Sequence, residues 1–539
     1  MRCSNHKVLG ILLCVSLVLV LLASTGCRKA SDEAVDTPLR REFVDQSRSL
    51  HRELQSLRQA AGQKPSEAFP DVPRDFSPLL ADEARTILAA LQQEVFLLAT
   101  QHHRQPPPEW LEPDQISVLS GEEKTFSAPR EGRPLALRLT NPSREILPSP
   151  ELVFSGLPDW STLENLLAVA LADDPQTDRE KALALHHFLV DARTHGLPAH
   201  PGDELHDPVR WLNSYGYGLC DDAATALVRM ARAVGLEARA WDLQGHVVAE
   251  VFFDGQWNLL DPDGEVYYAR PDGSLAAVDE VTPDLLLAHP SPTQSTEYLR
   301  PIYAEPTRFK LLDERRFAIP IPPLERTLRP GESFLLSTQP TGWFFSSSHF
   351  AEPPEYGSGL WAFSPVLQEN VFSLGAELAT GWQASKEEEN PGLTAAPGAS
   401  EATLIYRIVS PYPMLHGTFS VQGELADSAR LLLDWKMPDG EWLPASAFEP
   451  GTLHTTGEMP GLFRHGHGEP TREILVRLRL TNGGSSKVRQ VRWLIGLQVA
   501  PRSLPVLTSG QNSVLLRTNP PLHPPAPALL EFFWAPVLP

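Results

Sequence analysis

Apolar and polar positions change rhythm several times along this chain. Between residues 40 and 103 the apolar side chains recur at spacings of three, four and seven. Phe43, Leu50, Leu54, Leu57 and Ala61 form one series; Leu80, Ala84, Ile87, Leu91, Val95 and Leu98 form the next. That is the period of one helix face, so two amphipathic helices are predicted, joined by AFPDVPRDFSP. They read as a helical hairpin or as a cap on the segment that follows. After QPPPEW (105–110) the period drops to two, with Leu135, Leu137 and Leu139 alternating with Ala136 and Arg138, which predicts strands. The helical period returns at 177–195, where Thr177 and Glu180 stand at capping-box spacing. It returns again after residue 220: Ala224, Leu227, Ala231 and Val234 share a face, and Gly235 is suited to end that helix.

Past residue 300 the period of two dominates. In TREILVRLRL (471–480), Ile474, Val476, Leu478 and Leu480 lie on one face and Arg477 and Arg479 on the other. Segments 402–414, 429–445 and 488–500 behave alike, and Asp439-Gly440 and Asn482-Gly483 are hairpin signals. These patterns predict an antiparallel β-sandwich. The whole reads as a multidomain α+β chain. Its divisions are a targeting segment 1–27, a helical membrane-proximal region 28–113, a small β region 114–159 and an α+β domain 160–300. A β-rich connector 301–364, a β-sandwich 365–517 and a Pro-rich tail 518–539 follow.

Charge and cysteine content narrow the function. The net charge of −21 over 539 residues, with no basic patch to reverse it, argues against nucleic acid as a partner. At the N-terminus Arg2 and Lys7 precede an apolar run from Val8 to Leu22, shorter than the roughly 20 residues a membrane span needs. The following Leu22-Ala23-Ser24-Thr25-Gly26-Cys27 resembles a bacterial lipoprotein signal, which implies lipidation of Cys27; an uncleaved signal anchor is the alternative. Either reading exports the body and tethers it to a membrane of the cell envelope, with the outer membrane or periplasmic face preferred. The four cysteines are Cys3, Cys14, Cys27 and Cys220, so the exported body has one thiol of its own and no partner for an intrachain disulfide.

That thiol sits in GYGLCDD (216–222), at the start of the helix that ends at Gly235. Unpaired N–H groups and the positive end of the helix dipole favour a thiolate there. Downstream, GHVVAEVFFDGQWNLLDPDG (245–264) reads as two strands joined by the Asp254-Gly255 turn. A two-residue turn sets Phe253 opposite Gln256 and Val248 opposite Asp261. His246, two residues from Val248, then becomes a diagonal neighbour of Asp261, ~7–8 Å away at the backbone. Cys220, His246 and Asp261 thus form a nucleophile, a base and an orienting carboxylate. The Cys220 backbone N–H is a natural oxyanion donor, with Asn213, Trp211 and Tyr217 as further candidates. No cofactor and no metal is expected: His186 and His187, adjacent on a helix, point different ways, and His465-Gly466-His467 lacks a third ligand nearby.

Gly218-Leu219-Cys220-Asp221-Asp222 before a helix, Gly235 to Arg239, His246 with Glu250-Val251, Asp254 to Trp257 and Leu260-Asp261-Pro262 together resemble the transglutaminase-like cysteine enzyme superfamily. The resemblance implies a papain-like α+β core with Cys220 as nucleophile, His246 as base and Asp261 as orienter. It implies a thiol hydrolase or acyl transferase working on amide bonds through a thioester. Hydrolysis of a protein, peptide or cell-wall substrate is preferred to transamidation. The alternative is a non-catalytic envelope scaffold that binds a glycan or protein, with Trp435, Trp442 and Trp493 as candidate contacts.

Overall fold

Helices and strands alternate around Cys220, and local sequence accounts for each boundary. In the computed structural model, residues 113–196, 204–340, 355–385, 391–459 and 470–534 are described, all within one unit spanning 108–539. The signal segment, Cys27, the helical region up to residue 112, and His465 and His467 lie outside them. The helix Asp178–Ala192 begins with the expected capping box between Thr177 and Glu180. The helix Cys220–Ala233 ends at Val234, and Gly235 follows at φ +84°, a conformation only glycine adopts without strain. Two shorter helices, Leu163–Ala170 and Pro208–Ser214, complete this layer.

Behind the helices stands an antiparallel sheet in the order Gln256–Leu260, Val247–Phe253, Ala238–Asp242, Lys310–Leu311. Its strands alternate apolar residues toward two cores. Ala249, Val251 and Leu260 pack with Leu227, Val228 and Ala231 of the Cys220–Ala233 helix. Val248 and Leu259 face a second cluster with Leu286 and Leu299, contributed by the helices Pro283–Ala288 and Thr296–Tyr303. Each such fully buried Val or Leu stabilises the fold by about 1.5–3 kcal/mol.

The remaining strands form several antiparallel sheets. The sequence reading sets 114–159, the 301–364 connector and the 518–539 tail apart from the strands of 365–517. In the structure, strands from all four share one ten-stranded sheet. Asp114–Leu119, Pro527–Phe533, Ala136–Thr140, Glu332–Ser337, Gly357–Phe363 and Lys487–Val499 run edge to edge within it. Residues of this sheet (Trp361, Phe363, Trp493) share a core with residues of a five-stranded sheet (Tyr406, Leu431, Trp435, Val476). Trp435 and Trp493 are therefore wholly buried, and Trp442 lies under the Arg477 guanidinium, 4.0 Å from its ring centroid.

One turn departs from expectation. Asp439-Gly440 joins the paired strands Arg430–Lys436 and Leu443–Phe448, as a hairpin signal should. Asn482-Gly483 does not. It lies between Glu473–Thr481 and Lys487–Val499, which belong to different sheets, so the turn carries the chain across the core. Asn482 and Gly484 both have positive φ, which bends the backbone there, but residues 482–486 lead on to a strand of the other sheet.

Candidate active site

The stretch before Cys220 is held from two sides. Tyr217–Gly218 pairs in parallel with Thr194–His195, which places His195 beside Gly218. On the other side the end of the Lys487–Val499 strand braces the loop. Gln498 Nε2 donates to the Tyr217 hydroxyl at 2.9 Å, and the Ala500 N–H donates to the Asn213 carbonyl at 2.8 Å. Gly216, at φ +68°, passes so close to Ala500 that a Cβ would stand 2.9 Å from its side chain. A Cβ on Gly218 would meet Asp222 Oδ2 at 2.6 Å and Trp211 Nε1 at 2.9 Å. Gly218→Ala is therefore expected to cost about 1–3 kcal/mol, read as a lowered urea midpoint at unchanged slope.

Cys220 opens its helix and is partly exposed. Helix geometry leaves its N–H without an intrahelical partner. Asp222 Oδ2 accepts the Leu219 N–H at 3.0 Å, closing the helix start from the acidic side. His246 immediately precedes the strand Val247–Phe253. The register of that strand with Gln256–Leu260 is the expected one: Phe253 faces Gln256 and Ala249 faces Leu260. Asp254 and Gly255 both have positive φ, as the two-residue turn requires. The diagonal contact follows, with His246 Nε2 2.7 Å from Asp261 Oδ2 and both side chains only 1% exposed.

Asp261 is fixed in turn by the backbone. Its Oδ1 accepts the Gly264 N–H at 2.8 Å, and a Cβ on Gly264 would stand 2.4 Å from Oδ2. Burial acts to raise the Asp261 pKa, but His246 and the Gly264 N–H outweigh it and hold the carboxyl below its ordinary value. For His246, burial acts to lower the pKa, yet the Asp261 charge and the Cys220 thiol raise it to about 10. The imidazole is thus held as imidazolium at neutral pH. With Nε2 committed to Asp261, Nδ1 is the ring nitrogen left for the thiol.

A second carboxylate was not anticipated. Cys220 Sγ, a ring nitrogen of His246 and a carboxylate oxygen of Asp263 all lie within 4.8 Å of one another. Asp263 is ion-paired with Arg193 at 2.9 Å and accepts from His195 Nδ1 at 2.9 Å and from Gln294 Nε2 at 3.0 Å. Gln294 Nε2 also lies 3.4 Å from His246 Nδ1. The sequence held one signal for Asp263: it stands two residues after Asp261 in Leu260-Asp261-Pro262-Asp263-Gly264. Nothing local pointed to Arg193 or His195, which arrive through the long-range Thr194–His195 pairing. His195, Asp263 and Gln294 join Cys220, His246, Thr293 and Tyr298 in lining a cavity of about 460 Å³ at the thiol; Arg193 stands behind Asp263.

The three side chains expected as further oxyanion donors are engaged elsewhere. Asn213 Nδ2 donates to the carbonyls of Trp160 (2.7 Å) and Val209 (2.8 Å). Trp211 Nε1 donates to the Tyr217 carbonyl at 2.9 Å, and the Tyr217 side chain is wholly buried against Gln498. They shape the loop and do not face the thiol cavity, whose lining includes none of them. Among the described residues, two clusters have metal-ligand chemistry: Cys220 with His246 and Asp263, and His206 with Asp221 and Asp222. In the first, Asp261 engages His246, while His195, Gln294 and Arg193 engage Asp263. In the second, His206 Nε2 faces Asp221 Oδ2 at 3.4 Å and Asp222 Oδ1 at 3.6 Å.

Comparison with known proteins agrees with this geometry. Residues 166–262 match the family model of the transglutaminase-like superfamily. No curated protein matches the chain. Among solved structures, one described as "Crystal structure of a TGase" is 18% identical over 19% of this chain and 30% of that chain, with a TM-score of 0.16. The chain thus spans less than a third of that protein. A family 29 carbohydrate binding module is 10% identical over 25% of this chain and 88% of its own, with a TM-score of 0.15. At such low scores the family model alone carries the assignment. The segment that holds Cys220, His246 and Asp261 is a transglutaminase-like superfamily domain.

Proposed function

We propose that this domain is a cysteine-dependent amide hydrolase in an exported protein tethered to the cell envelope. The observation that carries the chemistry is His246, held by Asp261 on one ring nitrogen and turned to Cys220 with the other. The Cys220 thiolate attacks the amide carbonyl carbon, and the C=O electron pair moves to oxygen, where the Cys220 N–H receives it. His246 gives its Nδ1 proton to the leaving nitrogen, the C–N bond breaks and a thioester remains. Water, deprotonated by His246, attacks that thioester and releases the acid and the thiol. The partly exposed thiol supports water as the acceptor over an amine. The charge-flanked apolar run of residues 1–27, ending in Cys27, supports the envelope location and a membrane tether. Protein, peptide or cell-wall amides are the substrate class.

The test is a panel of peptide amides given to the full chain, with and without an added primary amine. Intact mass should reveal an acyl adduct on Cys220 that is absent from Cys220→Ala, with ammonia or amine released and none incorporated. Amine incorporation would make the domain a transamidase. An adduct pattern indifferent to Cys220→Ala would overturn the proposal.

A further inference from the structure

We propose that the cavity beside Cys220 contains an anion subsite built on His195, and that the acyl substrate carries a carboxylate close to its scissile amide. This rests on the reading of Cys220 as nucleophile and adds the substrate's charge.

The argument begins with Asp263. Its carboxylate, 1% exposed, faces the thiol and would repel an anion if it stood alone. It does not stand alone. Arg193, also 1% exposed, pairs with it at 2.9 Å, which neutralises it inside the protein. His195 then bonds the same Oδ1 through Nδ1 at 2.9 Å, and Gln294 takes Oδ2 at 3.0 Å. Asp263 thus accepts on both oxygens, from His195 and from Gln294, and is ion-paired with Arg193. Within this set, once His195 is protonated, one carboxylate against a guanidinium and an imidazolium leaves one positive charge over. That charge is on His195, whose side chain is 41% exposed and lines the cavity.

The remaining ring edge of His195 is what a substrate meets. With Nδ1 given to Asp263, Nε2–H is its free donor, and among the described residues no side chain takes it. Two other polar groups of the wall are already bonded to backbone carbonyls. Thr293 Oγ1 donates to the Asp263 carbonyl at 2.7 Å, and Tyr298 Oη donates to the Gly245 carbonyl at 2.5 Å. The bond to Asp263 raises the His195 pKa above its ordinary value, against burial, Arg193 and His246. In a chain of net charge −21, a cation held at the mouth of the thiol cavity is a selective feature.

Two alkylating probes of one size read this directly without a known substrate. Iodoacetate is an anion and iodoacetamide is neutral, and both transfer the same carbon to Cys220. Rates on the full chain would be followed on the Cys220 peptide by mass spectrometry. At pH 6 the iodoacetate-to-iodoacetamide rate ratio is expected to fall on the order of threefold to tenfold in His195→Gln. His195→Lys should keep most of the ratio. The wild-type preference should fade as pH rises and His195 loses its proton. A ratio unchanged in His195→Gln would overturn the subsite. The iodoacetamide rate alone reports the thiol, so an ordinary rate would count against the nucleophile reading whatever the ratio does.

Discussion

Replacing Asp261 with asparagine is expected to cut the rate of Cys220 acylation by roughly 10³–10⁴ and to cost about 3–5 kcal/mol of stability near pH 6. Asparagine has the size of aspartate but no charge, and its NH₂ can donate to the ring, which favours the wrong tautomer. The carboxylate it replaces is 1% exposed and accepts from both His246 and the Gly264 N–H. Without it the buried imidazolium has lost its counter-charge, and burial then drives the ring neutral. The pH dependence follows in sign. The folded pKa of His246 is raised to about 10, so its contribution is fully present below the unfolded value of 6.5 and is lost as pH rises through about 10. The folded pKa of Asp261 is depressed, so its contribution is present above the unfolded value of 3.8 and is lost as pH falls through the folded one. The gap between wild type and Asp261→Asn should therefore be widest between these two unfolded values and should close toward pH 10. Urea unfolding of both chains at pH 5.5 and pH 9.5 measures it. An equal gap at both would mean that the contribution of the pair does not depend on an ionised His246.

What the sequence revealed about the site was local. A capping box, a terminal glycine and a two-residue Asp-Gly turn each act over a few residues. They were enough to put Cys220 at a helix start and His246 diagonal to Asp261. The register argument works because side chains alternate with period two, so one turn length fixes every facing pair. What lay hidden depends on pairing across distance. His195 reaches the site through a two-residue parallel bridge, and Gln498 reaches Tyr217 from 281 positions away. Neither leaves a periodic trace. The same limit explains the sheets: Pro527–Phe533 sits in a proline-rich stretch, yet it fills the place between Asp114–Leu119 and Ala136–Thr140. Asn213, Trp211 and Tyr217 looked like donors because they flank the thiol in sequence. Helix geometry turns Asn213 to the Val209 carbonyl, four residues back, and the loop closes Trp211 onto Tyr217.

Removing His246 should have the other large effect, on the thiol itself. An imidazolium beside Cys220 stabilises the thiolate, and alanine removes both the charge and the proton acceptor. In His246→Ala, alkylation of Cys220 by iodoacetamide at pH 6 is expected to slow roughly 10- to 100-fold, the spread reflecting the higher intrinsic nucleophilicity of a more basic thiol. The rate in the variant should climb with pH and follow an ordinary thiol, whose midpoint is about 8.5.

The most direct measurement is therefore the rate of Cys220 alkylation against pH, from 5 to 10, in the full chain and in His246→Ala, read on the Cys220 peptide. A wild-type rate already high at pH 6 and nearly flat to pH 9, replaced in the variant by an ordinary thiol curve, is the expected result. A wild-type curve that rises only near pH 8.5 and is unmoved by His246→Ala would contradict the thiolate–imidazolium pair, and with it the catalytic reading of this domain.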